Sequence, residues 1–204
     1  MKKIFADSEI LSEENFYLIK NRKKLVVYVP VSHLEKVFRE MSDAGAGIIG
    51  NYDNCSFRIN GTGTYRPNKN ARPYSGKKGS ISFENEIRLE SECSPDLLTG
   101  IIESMLRAHP YEEAAYEIYN FVKLDSEISG RQYTLKRRMQ FTGLLKRLNQ
   151  NLKSVTGISE TSVKKILVTE AAFDKTLEES AKYFNIELII VLKGNDFKLI
   201  KIKQ

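Results

Sequence analysis

The order of apolar patterns over residues 25–124 is the feature that most constrains how this chain of 204 residues can fold. LVVYVP (25–30) is a β-branched run closed by a proline, which is typical of a strand. Apolar residues at helical spacing follow over residues 34–41, and Ser32 is the predicted N-cap, with Glu35 at capping-box spacing. The segment is therefore predicted to begin as a strand followed by an amphipathic helix.

Two strands, a helix and a strand are predicted to follow. CSFRI (55–59) and EIRLESEC (86–93) alternate apolar and polar residues, as half-buried strands do. Ser94 is the predicted cap of a second amphipathic helix, which ends before Pro110, and AAYEIYNFVKL (114–124) is a further strand. The resulting β-α-β-β-α-β order predicts an α+β fold with a ferredoxin-like sandwich.

The flanking sequence divides by composition. Residues 1–24 are interpreted as an N-terminal extension, and residues 125–138 as a linker, because this stretch is polar and contains a glycine. Helical spacing over residues 139–152 is followed by a strand, a helix that Asp174 caps, and two more strands. We therefore expect residues 139–204 to form a small α/β region.

Composition indicates an ordinary globular protein. Apolar residues make up 41% of the chain and charged residues 28%. No apolar run reaches the roughly 20 residues of a membrane helix, and acidic residues between positions 7 and 14 interrupt any signal-like segment. Cys55 and Cys93 are too few for a disulfide framework, so we expect reduced thiols and a cytoplasmic location.

The net charge of +6 is unevenly placed. Residues 1–124 carry 17 basic and 17 acidic residues, whereas residues 125–204 carry 15 and 9. A predicted basic helix over residues 135–153 holds six of these 15 basic residues. Its basic patch comprises Lys136, Arg137, Arg138, Lys146 and Arg147. Such a helix can contact nucleic acid or a protein partner, and the alternative, which we favour, is a solvated surface helix.

Four stretches between residues 25 and 121 resemble a known family. VPVSHLEKV, AGAGIIGNYDNCSF, GTGTYRP and LLTGIIESMLRAHPYEEAAYEIY are similar to the insert domain of the NIF-three-like family, often named GTP cyclohydrolase type-2 homologues. The resemblance implies a CutA- and PII-like domain that tends to trimerise. Residues 139–193 resemble a remnant of the family's C-terminal lobe.

The same resemblance bears on metal binding. The family binds a pair of metal ions through His-rich motifs outside the insert domain, and this sequence contains only His33 and His109. The resemblance therefore implies that the family's metal-ligand motifs are absent. We expect no cofactor, and a bound divalent metal is the less favoured alternative.

The segment of residues 61–80, GTGTYRPNKNARPYSGKKGS, is the best candidate for ligand contact. It is predicted to be a long loop that combines glycine N–H groups with basic side chains, and such groups can cradle phosphate. In PII-like proteins the corresponding loop contacts ligands, so the resemblance points to the same place. The candidate residues are Asn51, Gly61, Gly63, Arg66, Lys69 and Arg72. The alternative is an exposed, mobile loop.

LRAHPYEEAAYEIY (106–119) poses a separate question, because it concentrates one histidine, adjacent glutamates and three tyrosines. A metal site there would need Cys55, His109 and Glu112 to come together. The favoured interpretation is structural: His109 lies in the last turn of a helix, Pro110 stops the helix, and a strand follows.

These observations predict a non-catalytic regulatory or ligand-binding module that could bind a phosphate-containing small molecule. One alternative is a metal-dependent hydrolase or GTP cyclohydrolase-like enzyme, and another is a nucleic-acid or protein-partner binder that uses residues 135–153. Apolar side chains on both faces of strands 25–29 and 114–124 predict a homo-oligomer, with a trimer favoured over a dimer. The alternative is that residues 139–203 cover one face. Neither membrane nor nucleic-acid binding is expected.

Overall fold

The computed structural model describes residues 4–148, 162–194 and 196–202. The strands within these ranges are Ile10–Pro30 (β1), Phe57–Tyr65 (β2), Ser82–Cys93 (β3), Tyr116–Gln140 (β4), Ser162–Thr169 (β5), Leu188–Lys193 (β6) and Asp196–Lys201 (β7). The α-helices are Leu34–Asp43 (α1), Leu98–Ala108 (α2), Phe141–Arg147 (α3) and Lys175–Tyr183 (α4). The chain forms two compact units, residues 21–123 and a flanking unit of residues 1–20 with 124–204.

The 21–123 unit confirms the predicted β-α-β-β-α-β order and the ferredoxin-like fold. Its strands lie in the order β2-β3-β1-β4, with β3 antiparallel to both β1 and β2. The helices α1 and α2 pack on one face, where Leu25, Val27 and Val29 of β1 meet Val37 of α1 and Ile101 of α2. The alternation of β1 thus places every second residue in this core.

Neither serine that was predicted to cap a helix in this unit does so with its side chain. A short 3-10 helix, Val31–His33, leads into α1, so Ser32 does not cap it; the Ser32 hydroxyl lies 3.0 Å from His33 Nδ1. Ser94 precedes a similar 3-10 helix, and its hydroxyl accepts a hydrogen bond of 2.7 Å from the Arg22 guanidinium. Ser94 therefore uses its oxygen in a tertiary contact.

The flanking unit places α3 and α4 on opposite faces of its strands. β5 is parallel to β6, while β4 with β5 and β6 with β7 are antiparallel pairs. Ile166 and Ile190 pack with α3, and Leu167 and Ile189 pack with α4. β5 and β6 are buried on both faces, which explains their continuous apolar runs. Asp174 caps α4 as predicted and accepts the Leu177 N–H at 2.8 Å.

The predicted linker is wrong, and much of the predicted N-terminal extension belongs to a strand. Residues 10–24 of the predicted extension lie in β1, and the predicted linker of residues 125–138 lies in β4. The glycine that suggested a linker has a packing role, because a Cβ on Gly130 would lie 2.6 Å from the Val168 carbonyl oxygen. Gly130 therefore lets β4 approach β5 closely.

The predicted basic helix over residues 135–153 is also wrong. Lys136, Arg137 and Arg138 lie on β4, and Lys146 and Arg147 lie on α3. The predicted helix of residues 139–152 is confined to Phe141–Arg147 in the described chain, and residues 149–152 fall outside it.

The predicted loop of residues 61–80 is shorter than expected, since residues 61–65 complete β2. No helix among the described residues is long and apolar enough to cross a membrane.

Candidate functional site

A cleft of about 350 Å³ in the 21–123 unit brings two parts of the sequence together. One wall is the end of β2 and the loop that follows it, and the other is residues 111–115 between α2 and β4. The lining residues are Gly63, Thr64, Tyr65, Arg66, Pro67, Asn68, Ala71, Pro73, Tyr74, Ser75, Glu86, Tyr111, Glu112, Glu113 and Ala115.

The loop after β2 is held by its own hydrogen bonds. The Gly79 N–H donates to the Pro67 carbonyl at 2.7 Å, which closes the loop on itself. The Asn68 side chain accepts the N–H groups of Asn70 and Ala71 at 2.8 and 3.1 Å, as Asx turns do. These bonds give the cleft a defined wall.

Tyrosine rings form the aromatic part of the cleft. The Tyr74 ring centroid lies 5.8 Å from that of Tyr111, and the Tyr65 centroid lies 6.5 Å from it. His33 packs edge-on against Tyr74 at 5.4 Å, and His109 packs edge-on against Tyr111 at 4.9 Å. The two histidines thus support the rings from outside the cleft lining.

The Glu86 carboxylate is held in place in the cleft by its neighbours. The Tyr111 hydroxyl donates to its Oε1 at 2.8 Å. A Cβ on Gly63 would lie 2.3 Å from Glu86 Oε2, so the glycine makes room for the carboxylate across β2. Burial, together with the hydrogen bond to Glu86 and its charge, raises the pKa of Tyr111 well above its ordinary value of 10.0. The phenol therefore stays protonated at physiological pH.

The charge of the cleft lining is predominantly negative. Glu86, Glu112 and Glu113 line the cleft, and Arg66 is their only cationic counterpart among the described lining residues. Glu112 also accepts the backbone N–H of Arg72 at 2.7 Å, which ties the two walls together. Such a lining attracts a positively charged group and repels a phosphate.

His109 holds the end of α2 to β1. Its side chain is 7% exposed, and Nδ1 accepts the Tyr111 N–H at 3.2 Å. Nε2 therefore carries the proton and donates it to the Tyr28 carbonyl at 3.0 Å. Burial lowers the pKa of His109 below its ordinary value of 6.5, so the ring is neutral near pH 7. Both ring nitrogens are engaged, and neither is open to a metal or substrate.

The three candidate metal ligands lie in different surroundings. The Cys55 backbone bonds to Gly47 and Ser91, and its sulfur lies 3.5 Å from the Asp53 carbonyl. His109 and Glu112 make the contacts given above. Over residues 4–148, 162–194 and 196–202, no three His, Cys, Asp or Glu side chains are grouped closely enough to hold a metal ion.

The structure separates the predicted phosphate-binding residues. Gly63 and Arg66 line the cleft, and Gly61 lies in a neighbouring groove beside Ile59 and Arg88. Lys69 and Arg72 are exposed on the loop, and Asn51 lies in the turn closed by the bridge between Ile49 and Tyr52. Ligand contact by these residues stays a prediction.

Sequence reasoning did not single out Tyr65, Tyr74 or Glu86 as site residues. Tyr65 and Tyr74 stand in the predicted loop, where aromatic residues between glycines and prolines were an available signal. Glu86 carried no such signal, because it is one of several acidic residues that alternate along β3.

Comparison with known proteins identifies relatives of part of the chain. No model of a known protein family matches it. The GTP cyclohydrolase 1 type 2 homologue of Bacillus subtilis is 37% identical over 151 residues, which is 72% of this chain and 40% of that protein. The homologue from Halalkalibacterium halodurans is 33% identical over 150 residues, covering 71% of this chain and 40% of that protein.

Among solved structures, a Bacillus cereus protein related to NIF3 is similar with 28% identity and a TM-score of 0.48, covering 91% of this chain and 50% of that one. The match to this chain spans about 40% of the length of the two curated relatives. This chain belongs to the NIF3-like family of GTP cyclohydrolase 1 type 2 homologues, of which it matches a part.

Proposed function

We propose that the 21–123 unit is a non-catalytic regulatory or ligand-binding module, and that its cleft takes a small organic cation with a planar or aromatic body. The observation that carries the proposal is the combination of three tyrosines with a predominantly acidic lining in one concave site. Tyrosine faces and carboxylates both attract cations, and a planar group can pack on the rings.

The size of the cleft fits this class of ligand. Its volume of about 350 Å³ lies at the lower end of the range for small-molecule sites. Several of its polar groups are fixed, since Tyr111 is bonded to Glu86 and Ser75 donates to Glu84 at 2.6 Å. A preorganised site of this kind binds without a large ordering cost.

The chemistry of the lining supports binding over catalysis. A general base needs a free acceptor whose pKa lies near the working pH. Tyr111 is held protonated, and His109 behind it uses both nitrogens in structural bonds. The names of the relatives suggest a GTP cyclohydrolase-like activity as the rival function, and assays of GTP turnover with added divalent metals test it directly.

Self-association is part of the proposal. Phe57, Ile59 and Tyr119 are 64%, 43% and 48% exposed. Phe57 and Ile59 lie opposite Glu90 and Arg88 of β3 and therefore occupy the face away from α1 and α2. We propose that copies of this chain cover this face, as a trimer before a dimer. Light scattering should give three times the mass of one chain, and a monomer would contradict the proposal.

The ligand proposal is tested by thermal shift with matched compounds. Tyramine and 4-hydroxyphenylacetate carry the same phenol ring and opposite charges, and GTP represents the phosphate-containing ligands. Because a ligand that binds the native state stabilises it, tyramine should raise the melting temperature and the two anions should not.

Variants of two of the three cleft glutamates locate the effect. The double variant Glu112→Gln/Glu113→Gln should lose the tyramine shift. The control Glu40→Gln/Glu103→Gln removes the same charge from exposed positions of α1 and α2 outside the lining and should retain the shift. A shift with GTP alone, or an equal loss in both double variants, would contradict the proposed ligand.

A further inference from the structure

An irregularity of β4 in the flanking unit places three consecutive basic residues together. Thr134 of β4 pairs with Lys165 of β5, but the next pair joins Met139 to Val163. β4 thus advances by five positions while β5 advances by two, and three extra residues are accommodated in a bulge. Bulges of this kind redirect side chains from the regular alternation of a strand.

The bulge is anchored on both sides by the core. Leu135 is 1% exposed, and Met139 packs against the same apolar cluster, which includes Phe141 of α3. Between these anchors lie Lys136, Arg137 and Arg138, which are all exposed. A regular strand would send Arg137 to the opposite face from its neighbours, whereas here all three line one groove.

This groove has a volume of about 490 Å³. Its lining residues are Ser8, Glu9, Leu135, Lys136, Arg137, Arg138, Met139 and Arg147. Four cationic side chains therefore face one carboxylate.

Internal pairing accounts for half of the cationic groups. The Arg147 guanidinium donates to both oxygens of Glu9, each at 2.6 Å, and lowers the pKa of Glu9 to about 2. Arg138 is paired with Glu187 and also donates to the Ser162 carbonyl at 2.7 Å. These bonds fix two guanidinium groups in place at the groove.

Lys136 and Arg137 have no acidic partner in the described part of the chain. Within the described ranges, no carboxylate lies at ion-pair distance from either side chain. Among the residues that the structure describes, the groove therefore carries two positive charges without an acidic partner, beside guanidinium groups that are already positioned. Charged donors of this geometry suit phosphate oxygens.

We propose that this groove is an anion site for the phosphate or diphosphate group of a small molecule. The cations are concentrated in one concavity of small-molecule size, which favours a compact anion over a polymer that would need a basic stripe. The site belongs to the flanking unit and is independent of the ligand proposed for the 21–123 unit.

Calorimetric titration of the full chain with inorganic pyrophosphate tests the proposal. The variant Lys136→Gln/Arg137→Gln should bind pyrophosphate at least tenfold more weakly than the wild type. Lys193→Gln/Lys198→Gln removes two exposed charges from β6 and β7 and should bind as the wild type does. The charge-conserving exchange Lys136→Arg/Arg137→Lys should keep most of the affinity, and circular dichroism shows that each variant is folded.

Three results would overturn the inference. The first is that the wild-type chain does not bind pyrophosphate, and the second is that the groove and control variants lose equal affinity. The third is tight, strongly salt-dependent binding of a single-stranded oligonucleotide that pyrophosphate does not displace, since that would identify a nucleic-acid surface. Inorganic phosphate and a nucleoside diphosphate, titrated in parallel, distinguish a free anion from a phosphate ester.

Discussion

Replacement of His109 by Ala tests whether this residue is structural. The substitution removes the donor to the Tyr28 carbonyl and the acceptor of the Tyr111 N–H, and it leaves a void at a residue that is only 7% exposed. Losing partners for two partly buried backbone groups costs about 1–3 kcal/mol for each group that stays unsatisfied, and water entering the void reduces the sum. We expect His109→Ala to lower the free energy of unfolding by about 2–4 kcal/mol.

Urea unfolding followed by circular dichroism measures this difference. His33→Ala is the matched control, because His33 is the second histidine, is only half-buried, and lies beside the Ser32 hydroxyl and the Tyr74 ring. The control should cost less than about 1 kcal/mol, in line with the usual effect of surface substitutions. Equal effects of the two substitutions, or a cost near zero for His109→Ala, would refute the structural role.

The same variant carries a pH signature. The pKa of His109 is lower in the folded state than its ordinary value of 6.5, so the unfolded chain binds a proton that the folded chain rejects. Its contribution to stability is complete above pH 6.5 and is lost as the pH falls through the folded-state pKa. Between pH 7.5 and 5, the wild type should therefore lose more stability than His109→Ala, and parallel curves would contradict this.

Three further substitutions test individual contacts. Asp174→Ala should lower the free energy of unfolding by about 1 kcal/mol, because it removes the cap on the Leu177 N–H, and Asp174→Asn should recover most of it in the same urea assay. Gly63→Ala should displace the Glu86 carboxylate and weaken tyramine binding several-fold in calorimetry, while an unchanged affinity would place the ligand elsewhere. Tyr111→Phe should remove one phenol whose pKa is raised above 10.0, so the alkaline ultraviolet titration of the variant should lack the last tyrosine to ionise in the wild type. A wild-type titration that is complete near pH 10 would contradict the Glu86 contact.

The 21–123 fold was predictable because its elements carry local signals. The apolar residues of β1 alternate, those of α1 and α2 recur at helical spacing, and Pro110 lies just beyond α2. The long strands were missed because their polar residues pair with one another across strands. Gln132 donates to Glu14 at 2.9 Å, and Lys20 pairs with Asp125 at 2.9 Å. Because these polar residues have their partners on the neighbouring strand, the sequence of each strand is as polar as that of a linker.

The candidate cleft was only partly predictable. Gly63 and Arg66 were expected to contact a ligand, but their approach to Tyr111 and Glu112 depends on tertiary structure between distant segments. The basic groove was missed for a related reason. Three consecutive charged residues suggested a helix face, and only the register of β4 against β5 shows that a bulge presents them.

The most direct test of the proposed function is a nuclear magnetic resonance titration of the ¹⁵N-labelled chain with tyramine. The account predicts saturable shifts confined to the cleft, at the amides of Ala71, Tyr111 and Ala115, and no such shifts with 4-hydroxyphenylacetate. Shifts that avoid these amides, or a stronger response of the same amides to the anion, would contradict an acidic aromatic cleft that selects cations.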